Sequence, residues 1–320
     1  MRSNPVKKEF RKLQSFVMPR SIPAIRMINW ILKFTTYLTK TDRNVEIQKK
    51  TVTTRDGAKI AIDIFSPMNS TRILPCLVYF PGGGFMMSMT PAHKRNADII
   101  VSRLECKVIL VSYRLAPKHL FPTALFDAVD AYKDICARAD ELGIDPLRIA
   151  IGGDSSGGSL TAGVALMMRQ ENGPRPILQL MLYPALGQVS LNVRSRRKFS
   201  DAPVFNTKVL AFINHIVYHN GYFGLKQYAF PLTQESFIDL PPAYIETAEY
   251  DCLHGDGIRY AEVLKDAGIA VMLVETKGTY HGYDTVMTSP VVQQCMHQRL
   301  ARLKAAFGIT ENENMKVVGA

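Results

Sequence analysis

Ile149-Ala150-Ile151-Gly152-Gly153-Asp154-Ser155-Ser156-Gly157-Gly158 is the stretch on which the reading of this chain turns. Its three apolar residues read as a buried strand, and Leu160 to Arg169 read as a helix. Between them, Gly153-x-Ser155-x-Gly157 makes a sharp strand-to-helix turn around a serine. Such a turn leaves no room for bulky neighbours, so glycines flank the serine, whose hydroxyl stands exposed above a sheet. The helix that follows aims the positive end of its dipole at the same place, which favours developing negative charge. The plainer alternative is a Gly/Ser turn capping a helix. The strand before and the helix after favour a nucleophile at Ser155.

On both sides of this turn the same alternation recurs. Leu77-Val78-Tyr79-Phe80, Val108 to Val111, Leu180 to Leu182, Ala243 to Ile245 and Val271 to Val274 are short apolar runs separated by longer helix-like segments. Near-continuous apolar strands alternating with helices indicate an α/β fold with a mostly parallel, buried sheet. Residues 45–65 read as a strand pair about the turn Arg55-Asp56-Gly57. Residues 185–230 break the rhythm with a basic patch, Arg194 to Lys198, and an aromatic stretch that includes Phe205, Phe212 and Tyr218. An insertion there is a natural lid. Ile22 to Leu38 reads as a helix whose apolar face holds Ile28, Ile31, Leu32 and Tyr37 or Leu38.

Pro81-Gly82-Gly83-Gly84-Phe85 directly follows the run 77–80. Glycines let backbone N–H groups approach a ligand oxygen unobstructed. The N–H groups of Gly82, Gly83 and Ser156 are candidates for an oxyanion hole. A phosphate cradle would want Lys-Ser/Thr after the glycines, and Phe85-Met86 stand there instead. A serine nucleophile of this type also needs an acid and then a histidine, each at a late strand end. Asp251 and His281 occupy such positions. Asp256, Glu249 and Asp284 compete for the first role, and His254 and His119 for the second.

The chain of 320 residues carries a net charge of +11, unevenly placed. Residues 1–50 hold twelve Lys/Arg against three Asp/Glu, a difference of +9, so the remainder carries about +2. That distribution gives no basic face for nucleic acid. The basic N-terminus either touches an anionic membrane surface or forms a solvated arm, and the arm is the reading taken. No charge-free apolar run reaches membrane-spanning length, and no secretory signal is recognised. Cys76, Cys106, Cys136, Cys252 and Cys295 are odd in number and scattered, which points to a reducing, cytoplasmic setting.

Taken together, PGGGF, SYRLAPKHLFP (Ser112 to Pro122), GGDSSGG, LPPAY (Leu240 to Tyr244), YDCLHGDG (Tyr250 to Gly257) and Tyr280-His281-Gly282-Tyr283 resemble the hormone-sensitive-lipase-type carboxylesterases of the α/β-hydrolase superfamily. The likeness runs from about residue 45 to 306. It implies an α/β-hydrolase fold, helices flanking a mostly parallel sheet, with a helical cap. It implies a triad of Ser155, Asp251 and His281, an oxyanion hole at Gly82, Gly83 and Ser156, and hydrolysis of short acyl esters through an acyl-enzyme. The catalytic domain would span 44–184 and 231–310, the cap 1–43 and 185–230, and a tail 311–320. No cofactor or metal is implied, and the partner is a small-molecule ester; a homo-oligomer is compatible.

Three residues depart from the family pattern. Pro81 stands where a histidine usually helps hold the glycine loop, Cys252 where a proline follows the acid, and Ser156 where an alanine follows the nucleophile. An amidase or formamidase would use the same apparatus, and a non-catalytic receptor could use the same pocket. The helix 22–38 is expected to pack against 185–230 and to narrow the pocket to acyl chains of about two to six carbons. The charges at 2–12 lie outside that packing and are expected to be dispensable.

Overall fold

The computed structural model describes residues 6–189 and 193–310. The expected tail 311–320 and the first five residues lie outside that range. Eight strands form one sheet: β1 (Val45–Thr53), β2 (Lys59–Pro67), β3 (Leu74–Phe80), β4 (Lys107–Ser112), β5 (Ile144–Asp154), β6 (Gln179–Leu182), β7 (Ala243–Ala248) and β8 (Val271–Thr276). Their order is β1-β2-β4-β3-β5-β6-β7-β8. The β1–β2 and β2–β4 pairs are antiparallel, and every pair from β4 to β8 is parallel. Gly57, at φ +80°, closes the turn between β1 and β2 as the Arg-Asp-Gly reading expected.

Nine α-helices accompany the sheet among the described residues: α1 (Ile22–Leu38), α2 (Pro91–Arg103), α3 (Thr123–Ala137), α4 (Ser156–Gln170), α5 (Arg194–Lys198), α6 (Thr207–Val217), α7 (Lys226–Ala229), α8 (His254–Asp266) and α9 (Pro290–Ala306). All seven residues of β3 are buried, which is why its sequence does not alternate. Its side chains enter two cores. Cys76, Val78 and Phe80 join a cluster with Val129 of α3, Leu166 of α4 and Leu264 of α8. Leu77 and Tyr79 join another with Ile100 of α2 and Leu303 of α9. Each fully buried aliphatic or aromatic side chain contributes roughly 1.5–3 kcal/mol, so the two cores fix the strand ends that carry the site.

Two expectations about the N-terminal region need correction. The segment at 6–12 is no free arm. Val6 and Phe10 are buried, the Lys7 N–H donates to the Gly278 carbonyl at 3.0 Å, and Phe10 meets Tyr280 and Tyr283 edge-on. Two apolar residues spaced one helical turn apart were enough to anchor a segment that looked merely charged.

The second correction concerns α1. Backbone contact with the 185–230 insertion comes from the residues before the helix, where Met18 donates to Val204 and Val204 donates to Phe16, at 2.9 and 2.7 Å. α1 itself seats on the loop after the glycines. Asn29 Nδ2 donates to the Met86 carbonyl and Asn29 Oδ1 accepts from Ser88 N–H, both at 2.8 Å. Thr36 donates to the Met89 carbonyl at 3.1 Å. Its inner side is therefore Ile25, Ile28, Asn29, Leu32 and Thr36, whereas Ile31, Tyr37 and Leu38, expected inside, are exposed. Among the described residues no helix is long and apolar enough to cross a membrane.

Candidate active site

β5 runs directly into α4, and Ser155 is the pivot. Its backbone sits at φ 53°, ψ −118°, a conformation that non-glycine residues rarely adopt. The glycines of the motif have a steric cause. A Cβ on Gly153 would meet the Gly157 carbonyl oxygen at 2.4 Å, and one on Gly157 would meet the Phe80 carbonyl oxygen at 1.8 Å. The turn and the end of β3 touch backbone to backbone.

Two loops bring the other residues over Ser155. Asp251 lies in the loop after β7 and His281 in the loop after β8, and the Tyr250 N–H donates to the Thr279 carbonyl between them at 2.9 Å. His281 Nε2 is 2.9 Å from Ser155 Oγ, and His281 Nδ1 is 2.7 Å from Asp251 Oδ2. The other Asp251 oxygen accepts from the Leu253 N–H at 2.9 Å, so this fully buried carboxylate has both oxygens occupied. The ring of His281 is gripped from two sides. Phe205 stacks on it and Tyr183 meets it edge-on, with centroids 4.8 Å away.

The competing residues have other partners. Asp256 makes two 2.8 Å contacts with the fully buried Arg196 of α5 and accepts from the N–H groups of Leu186 and Gly187. Glu249 accepts from the Gly278 N–H at 2.8 Å. Asp284 accepts from the Tyr183 hydroxyl and from Asn96. His254 faces the Ala248 carbonyl and Glu275, and His119 lines a separate cavity.

The glycine loop corrects one expectation. The Gly82 N–H is not free for an oxyanion, because it donates to Asp154 Oδ1 at 2.9 Å. The N–H groups of Gly83 and Gly84 donate to no acceptor among the described residues. The loop is pinned despite Pro81. Tyr113 OH donates to the Pro81 carbonyl at 2.5 Å, Ala116 N–H to the Phe85 carbonyl at 2.9 Å, and Phe85 N–H to Ser156 Oγ at 3.3 Å. The SYRLAP stretch and the unusual Ser156 hydroxyl thus do holding work that the missing histidine side chain would otherwise share.

Sequence reasoning missed a polar cluster under this loop. Asp154 also accepts from Tyr79 OH and contacts His93 Nε2, each at 3.0 Å. Burial pushes the Asp154 carboxyl up, but His93, the Gly82 N–H and the Tyr79 hydroxyl outweigh it and hold it below the usual range. Burial pushes His93 down, and the facing Asp154 overcomes that and raises it. The first variable position of GxSxG, Asp154, gave no hint of this, since its partner lies sixty-one residues upstream on α2. Arg196 was hidden too, inside a run that read only as a basic patch.

Residues 77–285 match the family model described as the alpha/beta hydrolase fold. A carboxylesterase of Mycobacterium tuberculosis, NlhH, is 33% identical over 269 residues, covering 82% of this chain and 83% of the relative. The chain belongs to this family of α/β hydrolases. Its motifs place it in the hormone-sensitive-lipase-type branch, among carboxylic ester hydrolases. An ethyl acetate hydrolase of Pseudomonas putida is 32% identical over 247 residues, covering 76% of this chain and 77% of that one. Among solved structures, a bacterial heroin esterase superposes with a TM-score of 0.85 at 27% identity, covering 95% of this chain and 98% of its own.

Proposed function

We propose that this α/β hydrolase cleaves esters of short acyl groups, with Ser155 as nucleophile, His281 as acid and base, and Asp251 orienting the imidazole. The observation that carries the proposal is the hydrogen-bonded series Asp251–His281–Ser155, set beside unused backbone N–H groups. Ser155 Oγ attacks the ester carbonyl carbon and its proton passes to His281 Nε2. The carbonyl oxygen becomes an oxyanion facing the N–H groups of Gly83, Gly84 and Ser156. The C–O bond to the alcohol then breaks, and Nε2 returns its proton to the leaving oxygen. Water repeats the sequence on the acyl-enzyme and frees the acid. Asp251 holds the Nδ1 proton in place and stabilises the imidazolium formed in each half. The residues 1–43 and 185–230 are proposed to form the cap, and the five free thiols to belong to a reducing setting.

Cavity shape supports the short acyl group. A cavity of about 370 Å³ lies on the His281 side, lined by Phe16, Ile28, Leu32, Val204 and Phe205. His281 delivers its proton to the leaving alcohol, so this side receives the alcohol. Beyond Ser156 and Ser159 lies a space of about 20 Å³, closed by Phe85, Leu210, Ile213 and Phe230. That is room for little more than one water-sized group, which suits acetyl.

Hydrolysis of p-nitrophenyl acetate tests the reading. Turnover should fall by several orders of magnitude in Ser155→Ala with the fold intact. Activity within tenfold of the parent would remove Ser155 from its role. Equal turnover of acetanilide would favour the amidase reading, and no turnover of either by the parent would favour a receptor.

A further inference from the structure

The outer side of α1 is an apolar stripe open to solvent. Met27, Trp30, Ile31, Phe34, Tyr37 and Leu38 recur at helical spacing, with Trp30 at 72% exposure, Phe34 at 56% and Tyr37 at 78%. The rings of Trp30 and Phe34 are nearly parallel, with centroids 6.4 Å apart. Phe16 and Val17, just before the helix, are exposed as well. A contiguous patch of this kind marks an interaction surface. The helix beneath it is firmly held, since Asn29 and Thr36 bind the loop that leads from the glycines.

Charge identifies what covers the stripe. By their place in the helical repeat, Arg26 and Lys33 border one edge of it. Residues 6–43 hold nine Lys/Arg against two acids. Beside Tyr37 opens a cavity of about 730 Å³ whose charged lining is Lys33, Lys49, Lys94 and Lys118 against the single acid Asp63, with His119 alongside. A second copy of the chain would bring the same positive field against itself, which disfavours pairing through this face. An aromatic and aliphatic stripe edged by Lys and Arg instead suits the headgroup boundary of an anionic bilayer.

We infer that α1 docks the enzyme on anionic lipid surfaces. This goes beyond the hydrolytic reading and does not depend on it. The consequence for catalysis follows from the inner side of the same helix, where Ile28 and Leu32 line the cavity next to His281. Docking sets the mouth of that cavity at the edge of the hydrocarbon, where esters of apolar alcohols collect.

Trp30 is the only tryptophan of the chain, so its fluorescence reports on this face alone. The full chain is mixed with phosphatidylcholine vesicles, or with vesicles that also contain phosphatidylglycerol. A blue shift and co-sedimentation with the anionic vesicles only, reversed by high salt, are expected. Phe34→Ser with Leu38→Ser should abolish both while p-nitrophenyl acetate hydrolysis in solution is unchanged. Arg26→Gln with Lys33→Gln should weaken partitioning on the order of tenfold. An unshifted Trp30 with anionic vesicles would overturn the inference, as would equal binding to neutral vesicles. A concentration-dependent dimer lost in Phe34→Ser/Leu38→Ser would identify a second copy as the occupant and overturn it as well. Loss of ester hydrolysis without loss of vesicle binding would count against the proposed function alone.

Discussion

Phe205 stacks on the imidazole of His281, ring centroids 4.5 Å apart and planes 27° from parallel. A residue of the insertion thereby sets the plane of the proposed base, while Asp251 sets only one of its nitrogens. Phe205→Ala should lower kcat about tenfold or more at little cost in KM, because misplacing a positioned group is felt chiefly in the transition state. Phe205→Leu should recover part of the loss. Steady-state kinetics with p-nitrophenyl acetate separates the two parameters, and an unchanged kcat would show that Phe205 only fills space.

Asp251 and Asp256 should fail in different ways. Asp251→Asn should leave stability close to the parent and reduce kcat by about 10⁴-fold. Asp256→Asn leaves Arg196 buried without its counter-charge, and removing one partner of such a pair costs about 3–5 kcal/mol. Urea denaturation beside activity assays distinguishes them. A stable but inactive Asp256→Asn would reverse the assignment of the two acids.

The His93–Asp154 pair should make stability depend on pH. His93 is raised from 6.5, so its share of the pair is complete below that value and is lost as pH rises through the higher folded one. Asp154 is lowered, so its share stands throughout that interval and disappears only in acid. Tyr79, Asp284 and Tyr183 also face this cluster, and Asp284 is raised chiefly by burial. The Tm advantage of the parent over His93→Gln should therefore be largest near about pH 6 and shrink as pH rises above that. A constant difference would mean that His93 acts as a neutral hydrogen-bonding group.

Ile213 closes the small space beyond Ser156, and its Cδ1 lies only 2.5 Å from where a Cβ on Gly84 would stand. Ile213→Ala should raise kcat/KM for butanoate relative to acetate by about tenfold, the usual worth of a methylene or two in an apolar pocket. An unaltered ratio would mean that the acyl group lies elsewhere.

Removing the first twelve residues should now be harmful, contrary to what their charge suggests. Phe10 is fully buried against Tyr280 and Tyr283, on either side of His281. Phe10→Ala alone should cost about 3–5 kcal/mol. Full activity and stability in the truncated chain would restore the picture of a dispensable arm.

The particular residues explain what could be read in advance. Strand cores such as Leu77 to Phe80 and the Gly153-x-Ser155-x-Gly157 turn are local patterns with one steric solution, so they stand out in a single sequence. Asp251 and His281 could be ranked only because strand ends narrow the choice. Arg196, Phe205, His93 and Phe10 act through partners 60, 76, 61 and 270 residues away, and no local pattern encodes such distances. Gly82 was misjudged for the same reason: a free N–H and one bound to Asp154 look identical in sequence.

The Arg196–Asp256 pair joins the proposed cap to the helix that begins just after Asp251, and Arg196 also donates to the Cys252 carbonyl. A cover riveted in this way cannot swing aside without stranding an ion in an oily interior. With the cap as proposed, exchange of substrate and product is thus left to the seam between α1 and the segment around Val204. The enzyme would then meet dissolved and clustered esters with the same geometry, and the two would differ in how fast molecules are supplied to the door.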